Sequence, residues 1–150
     1  MNDYNLKNSL GYLTNKVHSL LKIILNREFK QAGFNLTTEH WAVLFIILTN
    51  PESTQSFISE KSLRDKTNVT RIIDSLEKQN LATRNPDKRD RRAHLISITE
   101  EGKETIQKLI PIVVEVNKFA EQNINEQDLE ITKNVLTQIL TNIIPKIKIS

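Results

Sequence analysis

"DKTNVTRIIDSLEKQNLATRNPDKRDRRAHLISIT", residues 65–99, carries three signals in one run. Val69, Ile72, Ile73 and Leu76 fall at i, i+3, i+4 and i+7, which lays a single apolar stripe along a helix. Asp65 stands where an N-cap belongs, and Asn80 where a left-handed C-cap is expected, Asn being the best substitute for Gly there. The opposite face presents Lys66, Thr67, Asn68, Thr70 and Arg71, all hydrogen-bonding types. Past Asn80 the period becomes two. Residues 81–85 and 94–98 read as two strands of a hairpin. Its bend crowds Lys88, Arg89, Arg91 and Arg92 around one carboxylate, Asp90.

Outward from this run the chain is helical. Residues 4–32 carry Leu10, Leu13, Val17, Leu20, Leu21 and Ile24 at steps of three and four, a long amphipathic helix that stops at Gly33. Thr37 caps a second helix, apolar nearly all round and ending near Asn50 and Pro51, with Leu36 able to pack on Trp41 as a staple. Ser53 or Thr54 caps a short third helix to about Ser62. Beyond the hairpin, Thr99 caps a helix bearing Ile106, Leu109, Ile110, Val113, Val116 and Phe119, with a kink expected at Pro111. Asn125 caps the last, which carries Leu129, Val135, Leu136, Ile139, Leu140 and Ile143 and ends before Pro145. Four helices, a hairpin and two more helices make a mainly α chain on the plan of a winged helix-turn-helix. Its 150 residues are expected to form one domain.

Composition narrows the chemistry. With no cysteine, disulfides, thiolate metal sites and thiol redox sensing are excluded. His18, His40 and His94 are the only histidines and none lies three or four residues from another, so no metal and no cofactor is expected. No Gly-rich phosphate loop or nucleophile–base motif is visible, so no enzyme is expected. No apolar run is long enough to span a bilayer, and a cytoplasmic protein without membrane contact is expected. The net charge is only +3, but residues 61–95 hold ten Lys/Arg against five Asp/Glu, leaving the rest net acidic. A basic centre of this kind suits a local polyanion.

A helix in the major groove needs short donors and acceptors near its first turns, where Asn pairs with adenine and Arg with guanine. Thr67, Asn68 and Arg71 supply those types. An ordinary solvated helix face would also be polar, although Glu and Lys dominate most such faces. The four cations at the bend repel one another and gain from phosphate, or from a narrow minor groove. Asp90 can orient Arg92 through a charge-assisted hydrogen bond. A charged surface loop accounts for the same residues equally well.

The blocks "LTTEHWAVLFIIL", "TQSFISEKSLRDKTNVTRIIDSLEKQNLATR" and "DKRDRRAHLISITEEGK" resemble those of the multiple-antibiotic-resistance regulator (MarR) family across about residues 36–103. The most specific part joins V-T-R-I-I-D-x-L-E-K to a wing D-x-R and a following I-T-x-x-G, here Asp90, Arg92, Thr99 and Gly102. The resemblance implies a bacterial homodimeric transcriptional regulator. Residues of about 36–100 would form its winged helix-turn-helix, and residues 1–33 and 103–148 its dimerisation helices. It implies a recognition-helix face of Lys66, Thr67, Asn68, Thr70 and Arg71, and a wing of Lys88, Arg89, Asp90, Arg91 and Arg92. Arg92 would enter the minor groove, with Asp90 as its brace. The expected partner is double-stranded DNA bearing an inverted-repeat operator. Such regulators are usually repressors released by a small, often aromatic or lipophilic, effector.

Tyr12, His18, His40, Trp41 and Phe45 are the candidates for the wall of an effector pocket, though these side chains serve equally as core packing, the plainer reading. The chain departs from the family pattern at Asn80, where Gly is usual, at Leu63 and Arg64 in the turn between the third and fourth helices, and at Pro111. A sequence-indifferent DNA-coating protein would use the same basic wing. It would have no need for the Asn/Thr/Arg face.

Overall fold

The computed structural model describes residues 5–87 and 94–147. Six helices, α1 (Leu10–Gln31), α2 (Thr38–Thr49), α3 (Gln55–Ser62), α4 (Lys66–Lys78), α5 (Glu100–Ala120) and α6 (Glu126–Ile143), accompany three short strands, β1 (Ser53–Thr54), β2 (Ala82–Pro86) and β3 (His94–Ile98). The mainly α winged-helix architecture is therefore present. The sheet is antiparallel, in the order β1-β3-β2, with Ala82 opposite Ile98, Pro86 opposite His94 and Ser53 opposite Ile96. β1 was not expected from the sequence. Two residues show no alternation, and only their pairing with β3 makes them a strand.

The first helix starts later than its periodicity suggested. Its expected first residue, Tyr4, lies outside the described residues. A 3₁₀ turn, Leu6–Asn8, comes first, and Ser9 then breaks the backbone into an extended conformation. Ser9 Oγ accepts from the Tyr12 N–H (3.3 Å) and donates to the Leu6 carbonyl (2.8 Å), so the serine caps α1. Local capping here outcompetes the apolar pattern.

Three helices finish in the same way. Phe34, Arg64 and Leu81 N–H groups reach back to the carbonyls of Phe29, Ser59 and Leu76, and the residue before each donates to the carbonyl three positions earlier. This is the Schellman closure, and it needs a left-handed residue at C′. Gly33 (φ 87°) meets that need without strain, Asn80 (φ 57°) with little, and Leu63 (φ 53°) against its Cβ.

The chain divides at Val116/Asn117 into two compact units. In the first, Phe29 of α1, Val43, Leu44 and Ile47 of α2, and Ile58 of α3 close around the α4 stripe Val69, Ile72, Ile73 and Leu76, with Ile96, Ile106 and Leu109 completing the core. Fully burying such a side chain contributes about 1.5–3 kcal/mol each. Leu36 is buried with them and Trp41 packs against the cluster, as a staple requires.

The joint between hairpin and α5 is tight. Thr99 Oγ1 accepts from the Gly102 N–H (3.0 Å) and donates to the Asn80 carbonyl (2.7 Å), while the Thr99 N–H donates to the Leu81 carbonyl (3.1 Å). A Cβ on Gly102 would lie 2.2 Å from that Leu81 oxygen. The I-T-x-x-G signature is thus a backbone contact that only glycine allows. Pro111 lies within α5.

The second unit holds the end of α5 and α6, separated by a turn with Asn123 at φ 63°. Asn125 Oδ1 accepts from the Asp128 N–H (2.8 Å), the expected cap. None of the residues of α6 is buried.

Candidate nucleic-acid interface

α3 and α4 form a helix-turn-helix whose entry and turn are set by side chains. Thr54 Oγ1 accepts from the Phe57 N–H (3.2 Å) at the start of α3, and Asp65 Oδ1 accepts from the Asn68 N–H (2.8 Å) at the start of α4. Because Val69, Ile72, Ile73 and Leu76 are driven into the core, the rest of α4 must face outward. Lys66, Thr67 and Arg71 are exposed, and Asn68 and Thr70 are half-buried. The structure therefore brings all five sequence-nominated residues to the first two turns of one helix.

Their hydrogen-bonding states differ. Among the described residues, the side chains of Lys66, Thr67, Asn68 and Arg71 have no ion-pair or hydrogen-bond partner. Thr70 is occupied: its Oγ1 donates to the Lys66 carbonyl (2.8 Å) and accepts from Gln55 Nε2. Gln55, on the first turn of α3, also donates to the Lys66 carbonyl (3.3 Å). Sequence inspection missed Gln55, since nothing in the string places it against a residue fifteen positions on.

The basic residues of this region are also not equivalent. Arg84 of β2 is clamped between Asp74 (2.7 Å) and Glu77 of α4, and its own N–H donates to Glu77 Oε1 (2.9 Å). Arg64, in the turn, lies 3.5 Å from Glu39. Lys61 sits 5.5 Å from the Phe57 ring centroid. Arg64 and Arg84 are thus ion-paired within the fold, whereas Lys66, Arg71 and Lys78 stand exposed on α4. A helix face with unpaired cations beside neutral amide and hydroxyl groups can engage phosphates and base edges together. The nominated wing residues Lys88, Arg89, Asp90, Arg91 and Arg92 lie outside the described residues. The described part of the hairpin ends at the Pro86–His94 pair.

The aromatic candidates separate into two groups. Trp41 packs edge-on to Phe29 (centroids 6.5 Å apart) and tilted against Phe45 (5.4 Å), and Phe45 remains 42% exposed. His18 is exposed, and Tyr12 is half-buried in the first turn of α1. His40 belongs to the α2 cap: its Nδ1 accepts from the Thr37 N–H (3.2 Å), while the His40 N–H reaches Thr37 Oγ1 (3.4 Å). Burial pushes the His40 pKa below its ordinary value, with the neighbouring Glu39 charge opposing. Glu39 is itself held below the usual carboxylate range. The hydrogen bond from Lys22 (2.7 Å) dominates, burial opposes it, and the charges of Lys22, Arg64 and His40 add to it. Among the described residues no three His, Asp or Glu side chains are grouped to hold a metal, and no helix is long and apolar enough to cross a membrane.

A helix-turn-helix backed by a three-stranded wing sheet defines the class: a winged-helix DNA-binding protein. The MarR family model matches residues 36–94, which run from the start of α2 to β3. The HTH-type transcriptional regulator YkoM of Bacillus subtilis is 34% identical over 86 residues, covering 57% of this chain and 54% of that protein. The chain thus matches about half the length of that relative. Among solved structures, a MarR-family regulator from Rhodococcus sp. RHA1 superposes with a TM-score of 0.82 at 22% identity, covering 91% of this chain and 96% of that one. BpsR of Bordetella bronchiseptica, described for the regulation of its DNA binding by 6-hydroxynicotinic acid, gives 0.82 at 17% identity, covering 92% and 97%. At such identities the structural likenesses speak for fold. With the family match over residues 36–94 and the sequence relatives, they make the chain similar to the MarR family of DNA-binding transcriptional regulators.

Proposed function

We propose that the chain works in the cytoplasm as a homodimeric repressor that reads an inverted-repeat operator and leaves it when a small aromatic or lipophilic effector binds. The observation that carries the reading is the face of α4, where Lys66, Thr67, Asn68 and Arg71 present unengaged side chains on a helix locked from behind by four core residues. Thr70 shares that face. Lys88, Arg89, Arg91 and Arg92 would neutralise phosphates at the wing, with Arg92 in the minor groove and Asp90 orienting its guanidinium.

The dimer is supported by apolar side chains without cover. Leu13, Val17 and Leu20 on α1 and Ile131, Val135 and Leu140 on α6 are each about half exposed. Apolar surface repeated along a helix, as on each of these two, marks an interaction site. A second copy satisfies it while supplying the second recognition helix that a two-fold operator needs. Residues 1–33 and 103–148 are assigned to this role, residues 36–100 to DNA, and the whole chain to one functional domain. The effector class is suggested by the 6-hydroxynicotinic acid named for BpsR, and by the paired rings of Trp41 and half-exposed Phe45, with Tyr12, His18 and His40 as the further candidates.

Selection of bound duplexes from a random library at near-physiological salt tests the proposal. Enrichment of an inverted repeat with half-sites about 10 base pairs apart is expected. Binding that collapses with salt and enriches no sequence would instead make the chain a sequence-indifferent DNA-coating protein.

A further inference from the structure

We propose that Gln55 and Thr70 together form an acceptor-only reading unit, with Gln55 as a positioning residue that fixes the polarity of the Thr70 hydroxyl. The unit then selects a base that offers an amino group, adenine or cytosine, on the contacted strand. The inference rests on α4 being the helix that enters the major groove.

The protons follow from the geometry. The Lys66 carbonyl can only accept, so the Gln55 amide must turn its nitrogen toward it, and the 3.3 Å contact is to Nε2. The same nitrogen donates its other hydrogen to Thr70 Oγ1. The Thr70 hydroxyl hydrogen is directed at the Lys66 carbonyl, 2.8 Å away. Both amide hydrogens and the one hydroxyl hydrogen are therefore spent inside the protein. A lone pair on Thr70 Oγ1 remains, and Gln55 Oε1 accepts nothing among the described residues. Both side chains are only half-buried, so these lone pairs are reachable from outside.

A free threonine hydroxyl rotates and can donate or accept, so it distinguishes bases poorly. Held by Gln55 and Lys66, this hydroxyl cannot donate without breaking a bond already made. In the major groove the groups that donate are adenine N6 and cytosine N4, whereas guanine O6 and N7 and thymine O4 only accept. The locked pair consequently favours amino over keto bases at one position in each half-site.

The experiment compares library selection by the full-length wild type, Thr70→Ser, Thr70→Val and Gln55→Ala, followed by affinity measurements on the selected duplex carrying base analogues. The wild type and Thr70→Ser are expected to share an amino-base preference at one position. Thr70→Val and Gln55→Ala lose it, on the order of tenfold, while retaining the other positions. Replacing the preferred base by its analogue without the amino group reproduces the loss in the wild type and adds nothing in Thr70→Val. Replacing a preferred adenine by 7-deazaadenine changes nothing. A keto preference at that position, sensitivity to the 7-deaza change, or unaltered preferences in both Thr70→Val and Gln55→Ala would overturn the inference. A wild type that enriches no sequence at all would instead bring down the reading of α4 on which it rests.

Discussion

At position 63 a leucine holds backbone torsions that favour glycine, φ 53° and ψ 37°, and its side chain is 55% exposed. A residue with a Cβ pays about 1–2 kcal/mol for this conformation, and little packing is recovered in exchange. Leu63→Gly should therefore raise stability by about 0.5–1 kcal/mol after the added flexibility of the unfolded chain is counted, as read by urea denaturation. No gain would mean that the exposed leucine makes a contact in the assembled protein. His40 behaves differently, because its constraint is protonic. Its Nδ1 must stay unprotonated to accept from the Thr37 N–H, and burial lowers its pKa from 6.5. As pH falls through 6.5 the unfolded chain takes up a proton that the native state refuses. The stability present above that pH is then lost progressively toward the lower folded value. Gln at N3 preserves the capping box without titrating. His40→Gln should therefore flatten the decline in stability between pH 7.5 and 5.5, and an unchanged slope would place its origin elsewhere.

Among elements, α4 and the hairpin were legible in the sequence because the information that makes them is local. The stripe from Val69 to Leu76, the Asp65 cap and the Asn80 stop all survive intact, and β3 has the expected limits. What could not be read is non-local. β1 exists only through Ile96 and Leu95, the Gln55–Thr70 bond spans two helices, and Arg84 looked like part of the basic site until Asp74 and Glu77 were seen to hold it. Charge counting cannot separate a cation facing solvent from one spent on a clamp. The element-scale predictions follow. Gly102→Ala should cost about 1–3 kcal/mol, since its methyl meets backbone rather than a flexible side chain, and a neutral outcome in thermal unfolding would deny the close approach. In the proposed complex, Arg92→Ala should weaken operator binding by ~1–3 kcal/mol with the fold retained, whereas Arg71→Ala should reduce discrimination among sequences more than non-specific affinity. Equal losses of both kinds would make Arg71 a phosphate contact.

For the whole molecule, the informative surface is the uncovered one. α6 buries nothing, and Ile131, Val135, Leu140 and Ile143 are about half exposed along it. A stable interface removes roughly 1,200–2,000 Å² from water, and one carboxylate placed in such a surface is costly. Val135→Asp, alone or with Leu140→Asp, should shift the protein toward monomer in sedimentation and abolish binding to a two-site duplex far more than to non-specific DNA. A dimer that persists would remove α6 from the interface.

The joint at Leu81 has a mechanical meaning. Its N–H closes α4, its carbonyl takes the Thr99 N–H, and Gly102 rests against that same oxygen, so three elements are welded over a few ångströms, with the Thr99 hydroxyl bridging them. A weld transmits torque where a hinge would absorb it. In the proposed complex, a rotation of the first turns of α5 would therefore carry the end of α4 with it.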